Sequence, residues 1–97
     1  MDREVVWTHS ASADLAAIAE HISRDSEFYA ATVVRELVGT ARSLSGLAQR
    51  GRQVPEYEDP FIRELIVRKY RLVYRVGAER VEVLRIIHGA QEMPAAV

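Results

Sequence analysis

Apolar positions recur along this chain with two different periods, and the change of period divides it. Val5-Val6-Trp7-Thr8 is a short β-branched and aromatic run that predicts a strand. Ser10 then stands where a helix N-cap belongs, and from Ala11 the period becomes helical. Ala11, Leu15, Ile18, Ala19 and Ile22 fall on one face, with Asp14, Ala17, Glu20 and His21 between them. Asp25 or Ser26 caps a second helix, from about Glu27 to Leu47, and Glu27 suits its positive N-terminal end. Its apolar stripe is Ala30, Val33, Val34, Leu37, Ala41 and Leu44. So short a link between the two predicts an antiparallel helical hairpin. Gly46 and Gly51 break the pattern, and 49–60, with Gly51, Pro55 and Pro60, reads as a loop.

Beyond the loop the period is two. Arg63 to Val67 predicts a strand, and Arg68-Lys69 a tight connection or a bulge. In the next strand Tyr70, Leu72, Tyr74 and Val76 alternate with Arg71, Val73 and Arg75. Gly77 to Glu79 turns the chain, Val81 to His88 is the last strand, and Gly89 ends it ahead of a short tail. The order β-α-α-β-β-β predicts an α+β domain spanning 1–97. In it a helical hairpin packs on one face of a mainly antiparallel four-stranded sheet.

Pairing Val76 with Val81 around the last turn sets a register. Tyr74 then meets Val83, Leu72 meets Arg85 and Tyr70 meets Ile87, on the face expected to carry the helices. On the other face Arg75 meets Glu82, Val73 meets Leu84 and Arg71 meets Ile86, with His88 diagonal to Arg71. That second face mixes Val73, Leu84 and Ile86 with Arg71, Arg75 and His88. An acidic, amphipathic partner segment would satisfy both its apolar and its basic parts. The alternative is cover by the 49–60 loop and the tail.

Composition narrows the function classes. With 97 residues there is room for one domain. Hydrophobic residues at 48% and charged residues at 28% are ordinary for a globular protein, and the apolar runs are too short to span a membrane. No apolar leader follows Met1, so the chain reads as cytoplasmic. Absence of cysteine excludes disulfides and thiolate metal sites. The net charge is −1, but residues 1–49 hold four basic and seven acidic side chains, and residues 50–97 hold nine and seven. Arg63, Arg68, Lys69, Arg71 and Arg75 face Glu64 as the sole acid between 63 and 75.

Candidate chemistry is sparse. The three histidines, His9, His21 and His88, form no metal-binding spacing, no glycine-rich phosphate loop is present, and no cofactor or metal is expected. One cluster suits a nuclease: His88 as acid or base with Arg71, joined by Arg63, to hold phosphate charge. The other reading of His88 is structural. Tyr57, Tyr70 and Tyr74 are candidate stacking residues, although the last two point to the expected core.

Several segments in order carry a family resemblance. They are Trp7-Thr8, Ala13-Asp14-Leu15-x-x-Ile18, Gly51-Arg52-x-Val54-Pro55-Glu56, Ile62-Arg63-Glu64-Leu65, Tyr70-Arg71-Leu72-Val73-Tyr74-Arg75-Val76 and Val83-Leu84-Arg85-Ile86-Ile87-His88. Together, over about residues 4 to 91, they resemble the RelE/ParE superfamily of bacterial toxins. The resemblance implies a toxin of a type II toxin–antitoxin system, wrapped by the C-terminal segment of an antitoxin that also binds operator DNA. RelE-like members cut mRNA on the ribosome, whereas ParE-like members poison DNA gyrase. Aligned to the RelE pattern, Arg71 keeps one phosphate-binding arginine. The basic residues of the preceding strand fall near Ile62 and Glu64, with Arg63 as a stand-in, and the second arginine falls at Gln91. The C-terminal tyrosine would lie at or beyond Val97. A net charge of −1 also suits a ribosome-bound nuclease poorly. The expectation is therefore a ParE-like, non-catalytic gyrase inhibitor and co-repressor. The alternatives are an mRNA endonuclease using Arg71 and His88, or an inactive antitoxin-binding co-repressor. Antitoxin binding is assigned to Arg63, Arg71, Val73, Arg75, Leu84, Ile86 and His88.

Overall fold

The computed structural model describes residues 2–97. Its elements are β1 (Glu4–Trp7), α1 (His9–Ser23), α2 (Glu27–Ser43), β2 (Arg52–Gln53), β3 (Ile62–Val67), β4 (Tyr70–Val76) and β5 (Arg80–His88). The sheet order is β1-β5-β4-β3-β2, with β1 parallel to β5 and every other neighbour antiparallel. It is an α+β fold with five strands rather than four. The extra strand is the two-residue β2, which pairs Arg52 with Glu64 and Gln53 with Arg63 inside the stretch expected as loop.

The helix boundaries follow the caps. Thr8, expected to end the first strand, is the N-cap of α1, and its hydroxyl accepts the Ala11 N–H at 3.1 Å. The helix thus begins at His9, ahead of Ser10. Ser26 caps α2 by accepting the Tyr29 N–H at 3.0 Å. The second helix stops at Ser43, four residues short of Leu47. Ala11, Val33, Leu37, Ala41 and Leu44 then pack on Leu72, Tyr74, Val81 and Val83 to form the main core.

Opposite the helices a second, smaller core joins Val54, Ile62, Val73, Leu84 and Ile87, with Tyr57 and Met93 against it. It is covered by the chain's own loop and tail, and the Tyr57 hydroxyl donates to the Pro94 carbonyl. Two sharp features shape the strands. Arg68, in the two-residue β3–β4 turn, sits at φ 54°, where a non-glycine residue needs support. Its guanidinium has that support, gripping Glu36 at 2.6 and 2.8 Å and lying 5.2 Å over the Tyr29 ring.

The other feature corrects the register. Val76–Val81, Arg75–Glu82 and Tyr74–Val83 pair as expected, but Val73 pairs with Arg85, Leu72 with Ile86, Arg71 with Ile87 and Tyr70 with His88. Leu84 is the extra residue of a β-bulge. The unbulged register places Arg85 against Leu72 inside the main core. Burying a lone guanidinium costs several kcal/mol, whereas disturbing one ladder bond costs about 1 kcal/mol. The bulge wins, and α1 repairs it. Thr8 Oγ1 donates to the Leu84 carbonyl at 3.0 Å. Asp14 accepts the Ile86 N–H at 2.9 Å and both Arg85 Nε and Nη2 at 2.7 and 3.1 Å.

This staple predicts a measurable cost. Asp14→Ala strands the Ile86 N–H and the Arg85 guanidinium together, and should lower stability by about 2 kcal/mol in urea unfolding. An unchanged midpoint would count against Asp14 as the holder of the bulge.

Candidate functional site

The bulge decides which predicted residues meet. Arg71, Val73 and Arg75 lie on the outer face with Ile62, Glu64 and Ile66, as strand alternation and pairing require. Past the bulge the alternation of β5 is reset. Ile87 joins the outer core, Ile86 turns inward to the main core at 3% exposure, and His88 packs edge-on to Tyr70 with ring centroids 5.6 Å apart. His88 and Arg71 are therefore on opposite faces, and the expected His88–Arg71 cluster does not assemble. Arg63 pairs with Tyr74 and also lies on the helix side, where its Nη1 donates to the Gly51 carbonyl at 2.8 Å.

The open apolar strip expected at Val73, Leu84 and Ile86 is likewise absent. Val73 and Leu84 are buried beneath the 49–60 loop and tail, and Ile86 lies under the helices. The reason is local. The second face carries enough apolar area to attract the loop, and Val54 and Tyr57 supply the matching side chains.

At the centre of the outer face stands Glu64, 1% exposed. A carboxylate between Ile62 and Ile66 needs cations, and two supply them. Arg71 Nε donates to one oxygen at 2.6 Å, and Arg52 Nε and Nη2 both reach the other at 2.7 Å. The remaining Arg71 nitrogens, Nη1 and Nη2, grip Glu56 from the loop at 2.8 and 2.7 Å. Every nitrogen of the guanidinium is thus held by the chain's own acids, and its side chain is only 12% exposed. Both carboxylates push the Arg71 pKa further up, Glu56 first. At the rim Arg75 meets Asp59 at 3.1 Å.

The segment around Gly51 builds this arrangement. A Cβ on Gly51 would stand 2.5 Å from both the Glu64 carbonyl oxygen and the Tyr74 hydroxyl, so only glycine allows the approach. Its N–H donates to that hydroxyl at 2.9 Å, and the hydroxyl donates to the Ala48 carbonyl at 2.9 Å. From there the chain delivers Arg52 to Glu64, Val54 to the second core and Glu56 to Arg71. Glu56 and Glu64 were not among the predicted site residues. The signal was Glu64 itself, the one acid on an apolar strand among arginines.

His88 sits apart. Its backbone N–H donates to Gln91 Oε1 at 2.8 Å and its Nδ1 accepts the Ala90 N–H at 3.0 Å, which leaves the proton of the neutral ring on Nε2. It borders an open cleft of about 390 Å³ with Ile18, His21, Tyr70 and Gln91. Among the described residues no three His, Cys, Asp or Glu side chains form a group able to hold a metal ion. No helix among them is long and apolar enough to cross a membrane.

A family model described as the ParE toxin of the type II toxin–antitoxin system parDE matches residues 5–93. The chain belongs to the ParE/RelE family of toxins. It is 36% identical over 89 residues to Toxin RelE2 of Caulobacter vibrioides, covering 91% of this chain and 97% of that toxin. It superposes on a chain of the chromosomal ParDE system from P. aeruginosa with a TM-score of 0.74 and 28% identity, over 89% of this chain and 95% of that one. It also superposes on a chain of the RelBE2 toxin–antitoxin complex from Mycobacterium tuberculosis, with a TM-score of 0.62 and 26% identity. That match covers 94% and 95% of the two chains. Within this ParE/RelE chain, the Gly51–Glu56, Arg63–Leu65 and Tyr70–Val76 segments that carried the resemblance converge on one network around Glu64.

The Glu56 carboxyl is held down at about 2, chiefly by the hydrogen bonds from Arg71. Its ordinary value is 4.5, so the pair contributes its full stability above about pH 4.5 and loses it as pH falls through about 2. A carbon-detected NMR titration should place the Glu56 midpoint near 2; a midpoint near the ordinary value would show the pair to be open in solution.

Proposed function

We propose that this chain is a ParE-like toxin that inhibits DNA gyrase without catalysing a reaction, is neutralised by a cognate antitoxin, and represses its operon only through that antitoxin's DNA-binding part. One observation carries the reading against a nuclease: all three Arg71 nitrogens are engaged by Glu56 and Glu64, while His88 lies across the sheet. RNA cleavage needs a cation and an acid–base group at the same phosphate. The ParE family model over most of the chain supports the same reading, as does the net charge of −1. Gyrase places its site of action in the bacterial cytoplasm.

Purified toxin added to gyrase should block supercoiling or trap cleaved DNA, and mRNA on programmed ribosomes should stay intact. Cut mRNA with normal supercoiling would establish the endonuclease instead. If neither assay responds and expression without antitoxin leaves growth unaffected, the chain is an inactive co-repressor.

The antitoxin's contact falls on the charged rim of the outer face, at Arg71 and Arg75, beside the exposed side chains of Ile66 and Phe61. Arg71→Glu is a poor probe, because a second acid next to buried Glu64 would unfold this corner. Arg75→Glu breaks a partly exposed pair and sets an acid beside Asp59 and Glu82, but at a solvated rim where such contacts are worth about 1 kcal/mol or less, not beside a buried carboxylate. It should weaken antitoxin binding about tenfold, or about 1.4 kcal/mol, by reversing a complementary charge. Unchanged affinity in titration calorimetry would remove the rim from the interface.

A further inference from the structure

The two acids on Arg71 are unlike each other. Glu64 is buried in the sheet, shares Arg52, and aims the guanidinium from below. Glu56 comes from a proline-flanked loop, its side chain is 43% exposed, and it takes the two outward nitrogens in a fork. Leaving Glu64 unpaired would be costly, but replacing Glu56 by another carboxylate exchanges one set of charge-assisted bonds for an equal set.

We infer that Glu56 is an internal stand-in for a partner's carboxylate: an acidic side chain of a bound protein segment displaces it and takes over the fork on Arg71. The charge of the site selects the class of ligand. Arg71 and Arg52 against Glu64 and Glu56 sum to zero, so swinging Glu56 out leaves one positive charge. That matches a monoanionic carboxylate in number and in planar geometry. A phosphate dianion would exceed it and would stand close to Glu64. Displacement also sets a threshold. A partner gains at Arg71 only when its other contacts along the rim, at Arg75 and Phe61, offset the loss of the internal pair. Isolated anions are thereby excluded, and an extended acidic segment is admitted.

This inference rests on the outer rim being the antitoxin's seat and adds how that seat is opened. Its test reads Arg71 directly and needs no antitoxin. The probe is an acetylated, amidated deca-glutamate peptide, titrated into the full chain while the Arg71 Nε–H signal is followed by NMR. Glu56→Gln should bind the peptide at least tenfold more tightly than the unaltered chain, with the Arg71 signal shifting on saturation. Inorganic phosphate should show no such gain. Circular dichroism checks that the variant is folded, which the exposed position of Glu56 favours. Equal peptide affinities would overturn the inference, and so would an Arg71 signal that stays still or an equal gain for phosphate. Failure of antitoxin capture by the unaltered chain, measured separately, would instead count against the seat.

Discussion

The pinning of one extra residue, Leu84, by the first helix sets where every other side chain of interest points. Without that bulge Arg85 would enter the main core, Ile86 would face outward and His88 would stand beside Arg71. With it, Arg85 reaches Asp14, Ile86 fills the core and His88 packs on Tyr70. Helix α1 is therefore more than a cover on the sheet. Its N-cap hydroxyl and its second-turn carboxylate satisfy the backbone groups that the bulge releases.

Glu64 is the second organising element. A carboxylate embedded in a strand between isoleucines has a large desolvation cost, and two arginines with good geometry offset it. Those arginines come from β2 and β4, so one buried acid ties three strands together. Gly51 makes the tie possible by letting its segment press against the β3 backbone. The loop that follows then seals the outer core and brings Glu56 onto Arg71. Structure and candidate interface are in this way one network, with its buried half at Glu64 and its exposed half at Glu56.

Much of this was legible in the chain. The helical stripe through Val33, Leu37 and Ala41 and the alternation from Tyr70 to Val76 are set by local periodicity, and both stand in the structure. The hairpin turn fixed three pairs of the last register correctly, as far as Tyr74–Val83. The rest failed for a nameable reason. An Ile86-Ile87 pair suits either face, so the apolar pattern cannot distinguish the bulged from the straight strand, and the deciding contact, Asp14 to Arg85, spans 71 positions. The arginines were read as a seat for the acids of a partner segment. That the acids are Glu56 and Glu64 of the same chain depends on tertiary folding of the 49–60 segment.

This geometry separates Arg71 and His88, the pair expected from the sequence as a candidate nuclease cluster, across the two faces of the sheet. That separation is most directly tested by a nuclear Overhauser spectrum of the isotope-labelled protein. The geometry requires cross-peaks between the His88 and Tyr70 rings, between the Arg71 Nε–H and the side chain of Glu64, and between the Arg71 Nη–H groups and the side chain of Glu56. Cross-peaks from the His88 ring to the Arg71 side chain would contradict it, because they would place both residues on one face of the sheet.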